Sequence, residues 1–359
     1  MNDNNLEDYM KHFGYSVFPS TWRENQSRLK SEYIEGSMIF TSLHIAEEFS
    51  SDYVTNCIDM LKTCKSIGYK ILADVSPRTL GQFGYNTLSE LREGLEIDIL
   101  RIDYGFSLEA VVKAAREMPI CINASTVDQV WIDALSDNTH TVYALHNYYP
   151  RPDTGLDSEQ FIERNANLKA AGITVMAFIA GDLALRGPIH EGLPTLEHHR
   201  TLPPYVAYTE LSEIYDLDWI IVGDGFISEH QVHWIRQAIE SGYYYLPSEY
   251  EHTVSTVKRF SPIYTIRPDS PKTLIRLQES REYATQGQRI EPRNCVDRTK
   301  GTITIDNVQY LRYSGEIQIT RADYPSDPRV NVIGSIIPEY YKVLKALPNG
   351  AKIKIGPLE

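Results

Sequence analysis

Two aspartates close short apolar runs in the first third of the chain. Asp74 ends the run Lys70–Asp74, and Asp103 ends the run Asp98–Asp103. Carboxylates at neighbouring strand ends repel one another, which raises the pKa of one and leaves the other ionised. Glycoside hydrolysis needs this division, because one carboxylic acid protonates the leaving oxygen and one carboxylate acts at the anomeric carbon. We therefore predict Asp74 and Asp103 as the catalytic pair, without assigning which of them is the acid.

Other polar and aromatic side chains follow the remaining apolar runs. The predicted sugar-binding set is Ser42, His44, Asn123, His146, Asn147, Tyr148, Asp153, Asp182 and Asp224. The predicted binding groups for a phosphate or carboxylate are Arg78, Arg151 and Arg186. These residues also have structural interpretations: an Asp after a strand often caps the next helix, Asp153 suits a turn, and both histidines suit buried packing.

The elements that must position these residues alternate between apolar runs and helix-like stretches. The eight runs are Gly14–Phe18, Met38–Ser42, Lys70–Asp74, Asp98–Asp103, Ile120–Asn123, Val142–His146, Thr174–Ala180 and Trp219–Gly223. Continuous apolar runs are typical of parallel strands that are covered on both faces. Eight strand–helix units predict an α/β fold, a (β/α)8 barrel of the TIM type, whose active site lies at the carboxyl ends of the strands. A doubly wound open sheet is the alternative, and the absence of GxGxxG after the first strand disfavours it.

The pattern changes after Gly242. Short apolar segments separated by turn pairs indicate a β-rich second domain, so we predict a barrel over 1–242 and a β domain over 243–359. Within the β domain, Val308–Tyr313 is predicted as a strand and Pro338–Ala346 as a short helix.

Composition excludes several classes of protein. The chain has 35 Lys and Arg against 48 Asp and Glu, a net charge of −13, which disfavours a nucleic-acid partner. No apolar stretch is long enough to span a membrane, and the N-terminus lacks the pattern of a secretory signal. The four cysteines have no metal-binding spacing. We therefore expect a reduced cytoplasmic protein with no membrane partner.

The sequence also gives little support for a metal or another cofactor. It contains no HExxH, no P-loop and no glycine-rich dinucleotide motif. Glu197–His199 is the densest group of metal ligands, but adjacent residues on a helix point about 100° apart. No metal and no cofactor are expected.

Four longer segments resemble one bacterial family. They are YGFSLEAVVKAAREMPICINAST, LHNYYPRPDTGLD, FIAGDLALRGPIHEGLPTLEHHR and RIEPRNCVDRTKGTITIDNVQYLRYSGEIQI. Together they resemble the MupG-type 6-phospho-N-acetylmuramidases over nearly the whole chain. The resemblance implies a (β/α)8 barrel followed by a cyclophilin-like β domain. It also implies an exo-acting glycosidase that releases 6-phospho-N-acetylmuramic acid from the non-reducing end of its β-1,4-linked disaccharide with N-acetylglucosamine, in cytoplasmic cell-wall sugar recycling.

A partner of this kind, a small phosphorylated disaccharide, carries a phosphate and a lactyl carboxylate. It therefore requires cationic side chains despite the net negative charge. The second domain adds three candidates to those in the barrel: Arg289, Arg293 and Arg298.

Two alternatives remain open from the sequence. One is a barrel isomerase, epimerase or aldolase acting on a phosphosugar, although no Lys lies at the eight strand ends to form a Schiff base. The other is a non-catalytic phosphosugar sensor, for which paired carboxylates are unnecessary. The sequence leaves oligomerisation open.

Overall fold

The structure is a computed structural model that describes residues 11–43, 52–102, 104–251, 258–284 and 289–358. Its first part is a closed barrel of eight parallel strands. The strands are β1 (His12–Ser16), β2 (Met38–Ser42), β3 (Lys70–Val75), β4 (Ile99–Ile102), β5 (Ile120–Asn123), β6 (Val142–Leu145), β7 (Thr174–Ile179) and β8 (Trp219–Val222). Each strand pairs with the next in the chain, and β1 pairs with β8 to close the barrel. The predicted (β/α)8 barrel is confirmed, and the open-sheet alternative is wrong.

Helices connect the strands. They are α1 (Gln26–Ser31), α2 (Tyr53–Ile67), α3 (Pro77–Phe83), α4 (Leu88–Gly94), α5 (Leu108–Glu117), α6 (Gln129–Leu135), α7 (Ser158–Ala170), α8 (Pro204–Glu213) and α9 (Glu229–Arg236). Several begin where the sequence offers a cap. The side chains of Thr87, Asp128 and Asp157 each accept a hydrogen bond from a backbone N–H in the first turn of the following helix.

The barrel interior is filled by large apolar side chains. The cluster contains Phe18, Met38, Phe40, Leu72, Ile99, Cys121, Leu145, Met176, Phe178, Trp219 and Ile221. Because strand side chains alternate between faces, residues two positions after Leu72, Ile99 and Cys121 also point inward. The sequence places Asp74, Arg101 and Asn123 there, so the apolar interior ends in a polar layer at the carboxyl ends of the strands.

The chain divides into two compact units. The first extends to Pro204 and includes Tyr215–Ser228, and the second contains Tyr205–Ile214 and everything from Glu229 onward. Most of α8, together with α9, therefore groups with the second unit, although both helices occur in the chain order of the barrel.

The second unit contains a seven-stranded sheet, which confirms the predicted β-rich domain. Its strands are β9 (Tyr243–Tyr250), β10 (Tyr264–Thr265), β11 (Leu274–Arg276), β12 (Thr302–Asp306), β13 (Ile317–Thr320), β14 (Val330–Ile336) and β15 (Lys352–Gly356), in the order β10-β15-β9-β14-β12-β13-β11. Pairing is antiparallel except between β15 and β9. The described part of this unit also contains α10 (Gln278–Ala284) and α11 (Tyr341–Ala346).

One sequence prediction in this unit is wrong and another is confirmed. Val308–Tyr313, predicted as a strand, is a 3-10 turn segment, because the side chain of Asn307 accepts a hydrogen bond from the N–H of Gln309 and starts a turn there. The short helix predicted over Pro338–Ala346 is present as a 3-10 turn followed by α11.

Candidate active site at the barrel mouth

A buried ion pair lies at the carboxyl ends of β3 and β4. Asp74 and Arg101 are register partners on these two strands, and Arg101 Nη1 lies 3.0 Å from Asp74 Oδ1. Only 9% of the Asp74 side chain and 4% of the Arg101 side chain is exposed. At this distance a guanidinium and a carboxylate attract each other strongly when both are removed from water.

The amide of Asn147 extends this pair to β5. Asn147 follows β6, and its Oδ1 accepts hydrogen bonds from Arg101 Nη2 at 2.9 Å and from Asn123 Nδ2 at 3.0 Å. Asn123 Oδ1 in turn accepts a hydrogen bond from the backbone N–H of Ser125 at 3.0 Å. Side chains from four consecutive strands are thus held in one polar layer.

His146 supports this layer from outside the barrel interior. It has no exposed surface, and its Nε2 lies 2.8 Å from Asn165 Oδ1 on α7 while its Nδ1 lies 3.2 Å from Ser125 Oγ. Ser125 Oγ also accepts a hydrogen bond from the N–H of Asn147 at 2.9 Å. These contacts are all satisfied if a neutral His146 donates through Nε2 and accepts the Ser125 hydroxyl through Nδ1. His146, predicted as a substrate contact, is therefore placed between the barrel wall and α7.

Burial favours the neutral form of His146. Loss of hydration lowers the pKa of this histidine to about 4, and the charges of Arg164 and Arg101 act in the same direction. The hydrogen bond with Asn165 opposes the shift. A neutral imidazole at physiological pH keeps Ser125, and through it the backbone of Asn147, in one arrangement.

Tyr148 and Arg186 form a second group beside the ion pair. The Tyr148 ring contacts Phe40 and Phe178 edge-on, and the charge of Arg186 acts on its hydroxyl. The guanidinium of Arg186 lies 3.4 Å from the centroid of the Phe18 ring. Burial raises the pKa of Tyr148, and the charges of Arg186, Asp74 and Arg101 all act on this hydroxyl. The aromatic ring of Tyr148 and the guanidinium of Arg186 therefore lie near the Asp74–Arg101 pair.

The loop that carries Arg186 is held by Asp224. This carboxylate accepts hydrogen bonds from the backbone N–H groups of Gly181, Arg186 and Leu193, each at 2.9 Å. Asp182 accepts hydrogen bonds from the backbone N–H and the hydroxyl of Ser228 at 2.8 and 2.6 Å. Both aspartates were predicted as substrate contacts, and in the structure each organises backbone that follows β7 and β8.

The other predicted site residues lie in several environments. Ser42 is a buried register partner of Asp74, whereas Arg78, Arg151 and Asp153 are exposed, with Asp153 in a turn at φ 63°. Arg289, Arg293 and Arg298 lie in the second unit, where they contact Glu291, Glu251 and the carbonyl of Pro325 respectively. Asp103 and His44 lie outside the described residues.

Sequence reasoning missed Arg101 and Asn165. The signal for Arg101 was a single cation inside the apolar strand Ile99–Ile102, at a position that shares a strand face with Ile99. Asn165 lies in the middle of α7 and is buried, whereas an Asn in a surface helix is usually exposed. Its residue type therefore gave no signal of a buried contact. The adjacent rings of His198 and His199 pack edge-on, with their centroids 4.3 Å apart.

A closed (β/α)8 barrel with a buried carboxylate–guanidinium pair at its carboxyl end is the framework of a barrel enzyme. Family models then specify the class: residues 13–237 match the N-terminal part of 6-phospho-N-acetylmuramidase, and residues 246–356 match its C-terminal part. The chain therefore belongs to the 6-phospho-N-acetylmuramidase family and is a glycosidase.

Solved structures resemble this chain over nearly its whole length. A conserved Enterococcus faecalis protein of unknown function is 32% identical, with 96% of each chain covered and a TM-score of 0.82. An uncharacterized B. cereus protein is 22% identical, with 97% of this chain and 99% of that chain covered and a TM-score of 0.79, and it shows the fold alone. No curated protein matches the chain. Among the described residues, no helix is long and apolar enough to cross a membrane.

Proposed function

We propose that the barrel hydrolyses the β-1,4 bond between N-acetylmuramic acid 6-phosphate and N-acetylglucosamine, acting from the non-reducing end during cytoplasmic recycling of cell-wall sugars. Family membership supports the sugar and the reaction type. The observation that carries the proposal within this chain is the buried Asp74–Arg101 pair at the carboxyl end of the barrel.

Asp74 is proposed as the carboxylate on the anomeric side. An ion pair with a guanidinium stabilises the ionised form, which makes Asp74 a poor proton donor and a good nucleophile or orienting group. It either attacks the anomeric carbon or orients the substrate's 2-acetamido group to attack that carbon.

Asp103 is proposed as the acid, on its sequence position two residues after Arg101. Its proton passes to the leaving oxygen of N-acetylglucosamine as the glycosidic bond breaks. Water then attacks the anomeric carbon, whose bond to Asp74 or to the acetamido oxygen breaks, while Asp103 takes a proton from that water. The second step thus restores both carboxyl groups.

The neighbouring cation and amides suit the rest of this substrate. Arg186, beside Tyr148 and Phe18, is proposed to bind the phosphate or the lactyl carboxylate, since a guanidinium donates two parallel hydrogen bonds to such an anion. The fixed amide of Asn147 is proposed to contact the acetamido group.

The test is hydrolysis of a chromogenic β-glycoside of N-acetylmuramic acid 6-phosphate beside its unphosphorylated twin, each with and without EDTA. We expect cleavage of the phosphorylated compound alone, and the same rate with EDTA. Asp74→Asn is expected to lower kcat by about 10²–10⁴-fold, the usual range for a positioned catalytic carboxylate.

Asp218→Asn is the matched control. Asp218 precedes β8 at the opposite end of the barrel, where it forms a partly exposed ion pair with Lys11. This variant should keep the wild-type kcat. Equal turnover of both glycosides would exclude the phosphate requirement, and near-normal kcat in a folded Asp74→Asn protein would exclude the role of Asp74.

A further inference from the structure

The second unit contains a large cavity of its own. Its volume is about 1000 Å³, the upper end of the range for small-molecule sites. β12, β14 and the segment 290–299 form much of the wall. Every lining residue belongs to the second unit, and none of them is a residue of the polar layer of the barrel.

The carboxylates that line this cavity already have partners. Glu251 lies 3.0 Å from Arg293, and Glu291 lies 2.6 Å from Arg289. Asp297 accepts a hydrogen bond from the backbone N–H of Ser326 at 2.8 Å. None of these three acids forms an ion pair with Arg259, the other cationic residue of the cavity wall.

The remaining cation of the cavity wall is Arg259. Its side chain is half-buried, and it forms no ion pair or side-chain hydrogen bond with any residue in the described part of the chain. A guanidinium cannot lose its charge at physiological pH, so burying one without an anion is costly. Burial lowers the pKa of Arg259, the direction expected for a cation without a carboxylate partner.

The rest of the wall is suited to a hydroxylated ligand. Thr299, Thr302 and Ser335 provide hydroxyl groups, and Tyr250 provides an aromatic ring. Hydroxyls hydrogen-bond to sugar hydroxyls as donors or acceptors, while an aromatic face packs against the apolar face of a sugar ring.

We propose that the second unit binds a small hydroxylated oxyanion, a sugar phosphate or a sugar acid, in this cavity, with Arg259 as the residue that binds the anionic group. No residue of the proposed hydrolytic site lines this cavity, and the proposed binding stands whether or not the barrel acts on a muramic acid phosphate.

Methyl NMR of the full chain tests the proposal, because Ile290, Ile305 and Ile333 line the cavity and report ligand directly. Ile333→Val assigns one of these signals, and Ile221 in the barrel interior reports the other unit. The probes are glucose 6-phosphate, glucuronate and glucose. We expect saturable shifts of the cavity methyls with one or both anions and no shifts with glucose.

Substitutions at Arg259 distinguish specific anion binding by its guanidinium from nonspecific binding in the cavity. Arg259→Gln is expected to weaken anion binding at least tenfold, and Arg259→Lys should be intermediate because an ammonium lacks the paired donors of a guanidinium. Arg312→Gln is the matched control, since Arg312 is exposed and contacts Tyr313 rather than the cavity. The Arg312→Gln protein should bind the anions with the affinity of the wild type.

The thermal midpoint provides an independent reading. Arg259→Gln should unfold at the same temperature as wild type or higher, because it removes a half-buried charge that has no ion-pair partner among the described residues. A phosphate-only response identifies a sugar phosphate, and a carboxylate-only response identifies a sugar acid. Unshifted cavity methyls at millimolar anion, equal shifts with glucose, or full affinity in Arg259→Gln would each overturn the proposal.

Discussion

Asp74 and Arg101 face each other across β3 and β4 with 3.0 Å between their charged atoms, although both side chains are almost completely buried. Removing the cation leaves the carboxylate buried without this partner. Arg101→Met should therefore lower the free energy of unfolding by about 3–5 kcal/mol. The double variant Asp74→Asn/Arg101→Met should recover most of this loss. Urea unfolding of the three proteins measures both effects, and a double variant as unstable as Arg101→Met would contradict the assignment.

Stability should fall in acid because of His146. The pKa of this histidine is about 4 in the folded protein, against an ordinary value of 6.5, so the unfolded chain binds more protons between these two pH values. The contribution of neutral His146 is complete above pH 6.5 and is lost as the pH falls towards 4, by up to about 3 kcal/mol.

Urea unfolding at several pH values between 4 and 7.5 measures this dependence. His146→Gln should flatten it, because glutamine does not titrate. The exposed His140 supplies the control, and His140→Gln should keep the wild-type slope. An unchanged slope in His146→Gln would mean that another group titrates in this window.

The position of Arg186 should depend on Asp224. Asp224→Asn places an NH₂ group near three backbone N–H donors, so at least one hydrogen bond is lost. We expect a destabilisation of about 1–3 kcal/mol and faster proteolysis of the segment 181–193. If Arg186 binds the substrate anion, KM for the phosphorylated glycoside should also rise, with a smaller effect on kcat. Asp216→Asn, at an exposed site, should change none of these quantities.

In the second unit, Asp306 should make the free energy of unfolding depend on pH in the opposite direction to His146. Asp306 is buried, and loss of hydration together with the charge of Glu316 raises its pKa to about 7, although a hydrogen bond from Gln318 opposes this. The folded state therefore binds more protons than the unfolded chain between pH 3.8 and 7. Its stability should decrease as the pH rises through this window, by up to about 4 kcal/mol.

Asp306→Asn removes this penalty and should stabilise the protein at pH 7.5 and above. The asparagine oxygen can still accept the hydrogen bond from Gln318. Glu339→Gln, at an exposed position of the same unit, serves as the control and should leave the free energy of unfolding unchanged. A destabilised Asp306→Asn protein at pH 7.5 would show that the ionised carboxylate contributes favourably.

The barrel strands are predictable from the sequence because each of them contains a short, mostly apolar run. In the second unit, the sequence pattern does not predict β11, β14 or β15. β11 has only three residues, Val330–Ile336 contains Asn, Gly and Ser, and Lys352–Gly356 alternates Lys and Ile. Val308–Tyr313 was assigned to the wrong element because side-chain capping by Asn307 outweighs its apolar composition. The domain boundary after residue 242 stays a prediction.

Sequence order alone determined which residues follow the barrel strands, because strand ends are marked by the change from apolar to polar residues. It therefore identified Asp74, Asn123, Asn147 and Asp224 as residues of one barrel face. Only the tertiary structure decided what each does there. Arg101 meets Asp74 because two strands 27 residues apart in the chain pair in register. His146 faces α7 and Asn147 faces the interior because alternate residues point to opposite faces. Contacts of this kind depend on the register of the paired strands and on closure of the barrel, and neither can be read from the order of residues in the chain.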